Sequence, residues 1–298
     1  MGPHRSGRLP DRQSAALGLT VSDHRRWTSE VLPSVVTMAS FSDLHESGTF
    51  VIPNPRDAGE ARLLEAMGFR ALATTSAGFA ATLGRTDQSV TLDELLAHTA
   101  ALTAAVEVPV SVDAENGLAD APDEVARTVH RLVDAGASGV SIEDYDPRAQ
   151  ALYPADLALE RVQAAAEAAR SAGVVLTARS EGLLHRIADL DETVARLRAY
   201  DDAGAGCLYA PGPRDLPTIR TIVGSVSSGV NVLAWPGGPT VDELAEAGVR
   251  RISVGSWLSN AASAAVVDLA AGLAGGGGLP ADLPGPPDDL VDRAWRGR

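Results

Sequence analysis

Residues 139–181 read GVSIEDYDPRAQALYPADLALERVQAAAEAARSAGVVLTARSE. An apolar, β-rich run at 139–143 gives way to a loop. An Ala- and Leu-rich helical pattern follows at 155–172 and stops at Gly173. A second β-rich run covers 174–179. A strand, a helix closed by glycine and a further strand describe one crossover between parallel strands. Both β runs are mostly apolar and do not alternate strictly between polar and apolar residues. That pattern suits strands covered on both faces.

The same rhythm extends outward in both directions. Further strand candidates are 50–53, 70–75, 108–113, 207–210, 231–235 and 251–255. Helical patterns lie near 57–67, 91–105, 122–135, 189–203, 215–225 and 240–247, and a last helix at about 257–273. Gly68, Gly136, Gly204 and Gly248 each sit just before a strand, as Gly173 does. Asp123, Asp191 and Asp242 fall near helix starts, where the helix dipole favours an acid. Eight strands alternating with eight helices predict an α/β fold of the (β/α)8 TIM-barrel type. A doubly wound open sheet is the rival, disfavoured by the regular eight units and the lack of a GxGxxG turn.

Three regions follow. Residues 1–37 carry Arg5, Arg8, Arg12, Arg25 and Arg26 with little apolar periodicity, and read as a disordered extension ahead of Met38. Residues 38–274 form the barrel. Residues 275–298 are Gly- and Pro-rich and read as a tail with a short terminal helix or arm.

Composition narrows the chemistry. The chain has 298 residues and a net charge of −14, which disfavours a nucleic-acid partner. All 25 basic residues are Arg, and no Lys occurs anywhere. Schiff-base, pyridoxal phosphate and P-loop chemistry each need a Lys and are excluded. The single cysteine, Cys207, cannot form an internal disulfide and fits a reducing cytoplasm. No apolar run approaches the roughly 20 residues of a membrane span, so no membrane partner is expected.

In a barrel the active site lies at the C-terminal ends of the strands. Polar residues gather there: Thr74, Thr75, Ser76, Ala77 and Gly78 after the second strand; Asp113, Ala114, Glu115, Asn116 and Gly117 after the third; Glu143 and Asp144 after the fourth; Arg179, Ser180 and Glu181 after the fifth. Asp87 lies in the long loop after the second strand. A single acid at a strand end usually caps the next helix. Acids on consecutive strands repel one another unless a cation or proton neutralises them. Oxygen-only ligands suit a hard cation such as Mg2+. With Arg179 beside it, such a site suits a carboxylate substrate and charge developing on an enolate oxygen.

These ordered motifs resemble the isocitrate lyase/phosphoenolpyruvate mutase superfamily from about Phe41 to Leu273. They comprise Phe50 to Asn54 with Asp57, Thr75 to Gly78, Asp113 to Gly117, Ser141 to Asp144, and Thr177 to Glu181. The resemblance implies Mg2+ bound directly by Asp113, with Asp87, Glu115 and Glu143 holding its waters. It implies a substrate carboxylate held by Thr75, Ser76, Ala77 and Gly78, with Asn54 nearby, and developing negative charge stabilised by Arg179. It also implies a homodimer or homotetramer built by exchange of the last helix.

The departures bear on the reaction. The family's lyases carry a Lys-Lys/Arg-Cys-Gly-His loop after the fourth strand, and its phosphonopyruvate enzymes carry Lys-Thr-Asn there. Here the loop reads Tyr145-Asp146-Pro147-Arg148-Ala149-Gln150-Ala151-Leu152-Tyr153 and has no Cys. Strand six ends Tyr209-Ala210-Pro211-Gly212, without the Pro-Glu of true lyases. Tyr145 or Tyr153 in the loop and His185 after strand five are candidates to supply the missing proton. Each also has an ordinary reading, as a lid or packing residue. The expectation is a cytoplasmic Mg2+-dependent enzyme that cleaves a C–C bond in, or decarboxylates, a small 2-oxo or 2-hydroxy carboxylate through an enolate. P–C chemistry on a phosphonopyruvate-like substrate and a non-catalytic binding homologue are the alternatives.

Overall fold

A computed structural model describes residues 40–296 of the chain. The expected extension at 1–37 lies outside the described residues. A short helix α1 (Asp43–Glu46) precedes β1 (Phe50–Ile52) and α2 (Ala58–Ala66). Next come β2 (Leu72–Ala73), α3 (Ser76–Thr82), α4 (Leu92–Thr103), β3 (Val110–Asp113), α5 (Pro122–Asp134) and β4 (Gly139–Glu143). A hairpin of β5 (Tyr145–Asp146) and β6 (Ala151–Leu152) leads into α6 (Ala155–Ala172), β7 (Val175–Arg179), α7 (Gly182–His185) and α8 (Leu190–Asp202). The chain continues through β8 (Cys207–Tyr209), α9 (Leu216–Val223), β9 (Gly229–Leu233), α10 (Val241–Glu246), β10 (Arg251–Ser253), α11 (Trp257–Ala274) and α12 (Asp288–Trp295).

Eight parallel strands run in the order β1-β10-β9-β8-β7-β4-β3-β2. The Ala73 N–H donates to the Pro53 carbonyl at 3.0 Å and draws the two edges together into a (β/α)8 barrel. All eight anticipated barrel strands are present, most of them shortened at their ends. Helix starts follow capping chemistry. Asp57, Asp189 and Asp215 each accept a hydrogen bond from a backbone N–H three residues on, and Thr91 and Thr240 form capping boxes with Glu94 and Glu243.

The helices pack on the outside of the sheet through Val125, Val129, Leu132, Val162, Ala165, Leu197, Ile219 and Leu244. Inside, Phe41, Leu44, Phe50, Ile52, Val175 and Cys207 plug the N-terminal end of the barrel. Gly139 belongs to that plug. A Cβ there would lie 2.6 Å from a Phe41 ring carbon and 3.0 Å from the Val175 carbonyl.

Three features escaped the sequence pattern. The loop after β4 is a short antiparallel hairpin. A helix opens directly at Ser76. The eighth helix, α11, buries only Ser259 among its eighteen residues and leaves Val266 and Val267 about two-thirds exposed. By length and composition alone α11 is long enough to cross a membrane, which corrects the expectation that no such run exists. In the tail, α12 packs against α2 and buries Ala294.

Candidate active site at the barrel mouth

Residues of all eight barrel strands and the loops that follow them enclose a cavity of about 180 Å³. Asn54, Thr75, Ser76, Ala77, Asp87, Asp113 and Arg179 all line it. Gly78, Glu115, Glu143, Tyr145 and His185 do not.

Asp113, the last residue of β3, is held from several sides. Its N–H donates to Thr74 Oγ1 at 2.8 Å. Its Oδ2 accepts from the Ser76 N–H at 3.2 Å, and its Oδ1 from the Glu115 N–H at 3.3 Å. Arg179, the last residue of β7, reaches across the mouth. Its Nη1 lies 2.7 Å from Asp113 Oδ1, its Nη2 3.0 Å from Glu143 Oε2 and its Nε 2.8 Å from Glu181 Oε1. Burial opposes the Arg179 charge, but Glu181, Glu143 and Asp113 outweigh it and hold the guanidinium pKa well above its usual value.

One guanidinium does not balance this many acids. Burial raises the Glu143 pKa far above the ordinary carboxylate range, and Glu181, Asp113 and Glu115 add to the rise against the pull of Arg179. Burial, then Asp113 and Asp87, push Glu115 to about 8. Asp87 lies on the exposed rim. Partial desolvation and Asp113 raise its carboxyl too, while Ser76 and Arg179 oppose the rise. Glu115 is held at φ +49°, a backbone strain that recurs at sites where a side chain must be aimed.

Such a cluster takes up a proton or a cation. Among the described residues, no three His, Cys, Asp or Glu side chains converge as a ready-made metal cage. The carboxylates that meet here offer oxygen donors only, a set that suits a hard cation.

The predicted anion turn is partly engaged already. The Ser76 N–H serves Asp113, and the Gly78 N–H serves Thr75 Oγ1 at 3.3 Å as the cap of α3. Asn54 is buried and works on the backbone. Its Nδ2 donates to the Thr74 carbonyl at 2.9 Å, and its Oδ1 accepts from the Val254 and Gly255 N–H groups at 2.9 Å each. It ties the ends of β1, β2 and β10 together at the rim.

Tyr145 and His185 stack on each other, with ring centroids 3.8 Å apart and 4° between planes. Desolvation, then Arg179, lowers the His185 pKa, and Asp144 opposes the fall. Neither ring lines the cavity.

Sequence reasoning left two members of the cluster without a role. Glu181 is buried and completes the grip on Arg179. Asp144 lies one layer further out. It accepts from the Glu181 N–H at 2.8 Å and from Tyr200 Oη at 2.8 Å, with Arg196 Nη1 at 3.4 Å. Both stand beside predicted site residues, in Glu143-Asp144 and Arg179-Ser180-Glu181. Adjacency was the only signal available.

The phosphoenolpyruvate phosphomutase family profile matches residues 41–274. A solved protein of Burkholderia cenocepacia J2315, provisionally described as a lyase/mutase, is 46% identical with a TM-score of 0.80, covering 85% of this chain and 93% of that one. The 2-methylisocitrate lyase of Escherichia coli (strain K12) is 30% identical over 207 residues, 65% of this chain and 69% of that protein. An oxaloacetate acetylhydrolase solved with its product oxalate is 25% identical with a TM-score of 0.74, covering 86% of this chain and 92% of that one. A barrel mouth of this geometry and a profile match over most of the chain agree: the protein belongs to the isocitrate lyase/phosphoenolpyruvate mutase superfamily, an enzyme group that includes carbon–carbon lyases and mutases.

Proposed function

We propose that the chain is a Mg2+-dependent enzyme that cleaves a C–C bond in, or decarboxylates, a small 2-oxo or 2-hydroxy carboxylate through an enolate. The observation that carries this reading is the excess of buried carboxylate around one arginine on a small cavity. Mg2+ would supply positive charge for the substrate's oxygens. Asp113 would hold it, with Asp87, Glu115 and Glu143 orienting its waters. The Thr75 to Gly78 turn would face the substrate carboxylate. When the bond breaks, its electron pair passes into the enolate. Arg179 would stabilise the charge that appears there, held in place by Asp113, Glu143 and Glu181. A single cysteine, which cannot form an internal disulfide, supports a cytoplasmic setting.

We also propose that a second copy covers α11. An 18-residue apolar helix with one buried residue is incompletely packed as it stands. Val266→Glu with Val267→Glu should shift the protein from an oligomer to a monomer by light scattering. An unchanged mass, or co-purification with lipid, counts against a second copy.

The deciding experiment titrates oxalate, a planar mimic of the enolate, into the protein by calorimetry with and without Mg2+. Binding that needs Mg2+ and is lost in Asp113→Ala supports the reading. Binding without Mg2+ overturns it in favour of a non-catalytic anion binder, and no binding at all overturns it in favour of a homologue without a working site. Turnover of phosphonopyruvate with no turnover of 2-oxo acids or malates would assign P–C chemistry instead.

A further inference from the structure

The cavity has a second buried arginine on its wall. Arg251 opens β10, is 4% exposed and lines the same space as Ser76, Asp113 and Arg179. No Asp or Glu carboxylate lies within 4.0 Å of its guanidinium among the described residues. Its Nε donates to Asn231 Oδ1 at 2.9 Å, and Asn231 is turned for this by its own Nδ2 bond to Ser253 Oγ at 3.0 Å. Its Nη1 lies 3.5 Å from His45 Nε2.

His45 and Cys207 beside it offer no negative charge. Burial, then Arg251, lowers the His45 pKa to about 4. Burial pushes the Cys207 thiol up. Arg161, also buried, shows the usual alternative: it donates to the backbone carbonyls of Asn116, Ala119 and Asp120. Arg251 has neither a carboxylate nor a ring of carbonyls. A guanidinium cannot shed its proton to escape burial, so a cation in this position is costly until an anion meets it.

We propose that Arg251 forms a second anion subsite deep in the barrel, receiving the distal carboxylate of a small dicarboxylate whose reacting end lies at Ser76, Asp113 and Arg179. This rests on the functional reading above and narrows its substrate class. Asn231 and Ser253 complete the polar wall around that carboxylate. The cavity is well below the ~300 Å³ of ordinary small-molecule pockets, so only a short acid fits.

Malate and 2-hydroxybutyrate share the 2-hydroxy acid end and differ in the terminal carboxylate. In the presence of Mg2+, the wild-type protein should bind malate at least about tenfold more tightly by calorimetry. Arg251→Met should erase that preference, Arg251→Lys should retain part of it, and both should still bind oxalate. Melting of the ligand-free protein supplies an independent readout. Arg251→Met should melt no lower than wild type, because it removes an uncompensated charge. A marked fall would make Arg251 structural and overturn the proposal. So would an absent malate preference in the wild type, or a preference kept in Arg251→Met. Stabilisation of the wild type by chloride or phosphate, without a malate preference, would assign the subsite to a free anion and not to substrate. Failure of oxalate to bind the wild type would count against the functional reading. A malate-induced rise in melting temperature that disappears in Arg251→Met would then still support the subsite.

Discussion

Arg179, on β7, and Arg251, on β10, line one cavity. Arg179 stands among Asp113, Glu143 and Glu181, all within 3.0 Å. Arg251 meets one amide oxygen and a neutral imidazole. The same side chain therefore has two electrostatic settings in one molecule. On the β3–β4–β7 wall the acids outnumber the cation, so the wall is short of positive charge. On the β9–β10 wall the cation lacks a partner, so the wall is short of negative charge. A divalent cation and a dianionic substrate would settle both deficits together. The cavity's polarity is a statement about its ligands as much as about its fold.

The largest expected effect tests the crowded wall. Arg179→Met leaves Asp113 and the buried Glu143 and Glu181 without their shared cation and should cost about 3–5 kcal/mol of stability near pH 7. Thermal melting beside Arg251→Met checks it. The contrast between the walls breaks if the two variants lose equal stability.

A smaller effect tests the support behind that wall. Asp144→Ala strands Tyr200 Oη, the Glu181 N–H and Arg196, and should cost about 2–3 kcal/mol in denaturant unfolding. If Asp144 steadies Arg179 through Glu181, oxalate affinity should fall as well. Unchanged affinity would confine Asp144 to stability.

The smallest expected effect concerns the layer behind the anion turn. His98 stacks on Phe79 with centroids 3.8 Å apart, and burial lowers its pKa to about 4. The unfolded chain takes up this proton near pH 6.5, while the folded protein resists until about 4. Stability from neutral His98 is thus full above pH 6.5 and is lost as the pH falls towards 4, with a cost on the order of 1–2 kcal/mol at pH 5. His98→Phe should flatten that part of the acid limb. His45, also lowered to about 4, should keep its own share. An unchanged acid limb would mean that His98 is not buried neutral in solution.

Much of the fold was legible because it is written locally. Residues 139–143 and 155–172 match β4 and α6, where apolar runs, an Ala-rich helix and Gly173 speak for themselves. The hairpin after β4 was not legible. It is closed by Tyr153, whose N–H donates to the Asp144 carbonyl and whose Oη accepts from Asn116, contacts that span up to 37 residues. For the site, Asp113, Asp87 and Arg179 could be named from strand-end position, and the structure brings all three to one cavity. The stacking of Tyr145 on His185 could not be foreseen, because it joins two loops with no shared pattern.

By itself, the sequence of this protein determined the βα rhythm, the helix stops, the exclusion of lysine chemistry and the acids at successive strand ends. These follow from nearest-neighbour preferences and residue chemistry. Only the tertiary structure decided which acids Arg179 would hold, that Asn54 would tie the rim, and that Arg251 would be buried with no carboxylate beside it. Those outcomes depend on inward-facing side chains from strands up to about 200 residues apart, and barrel closure alone sets their distances.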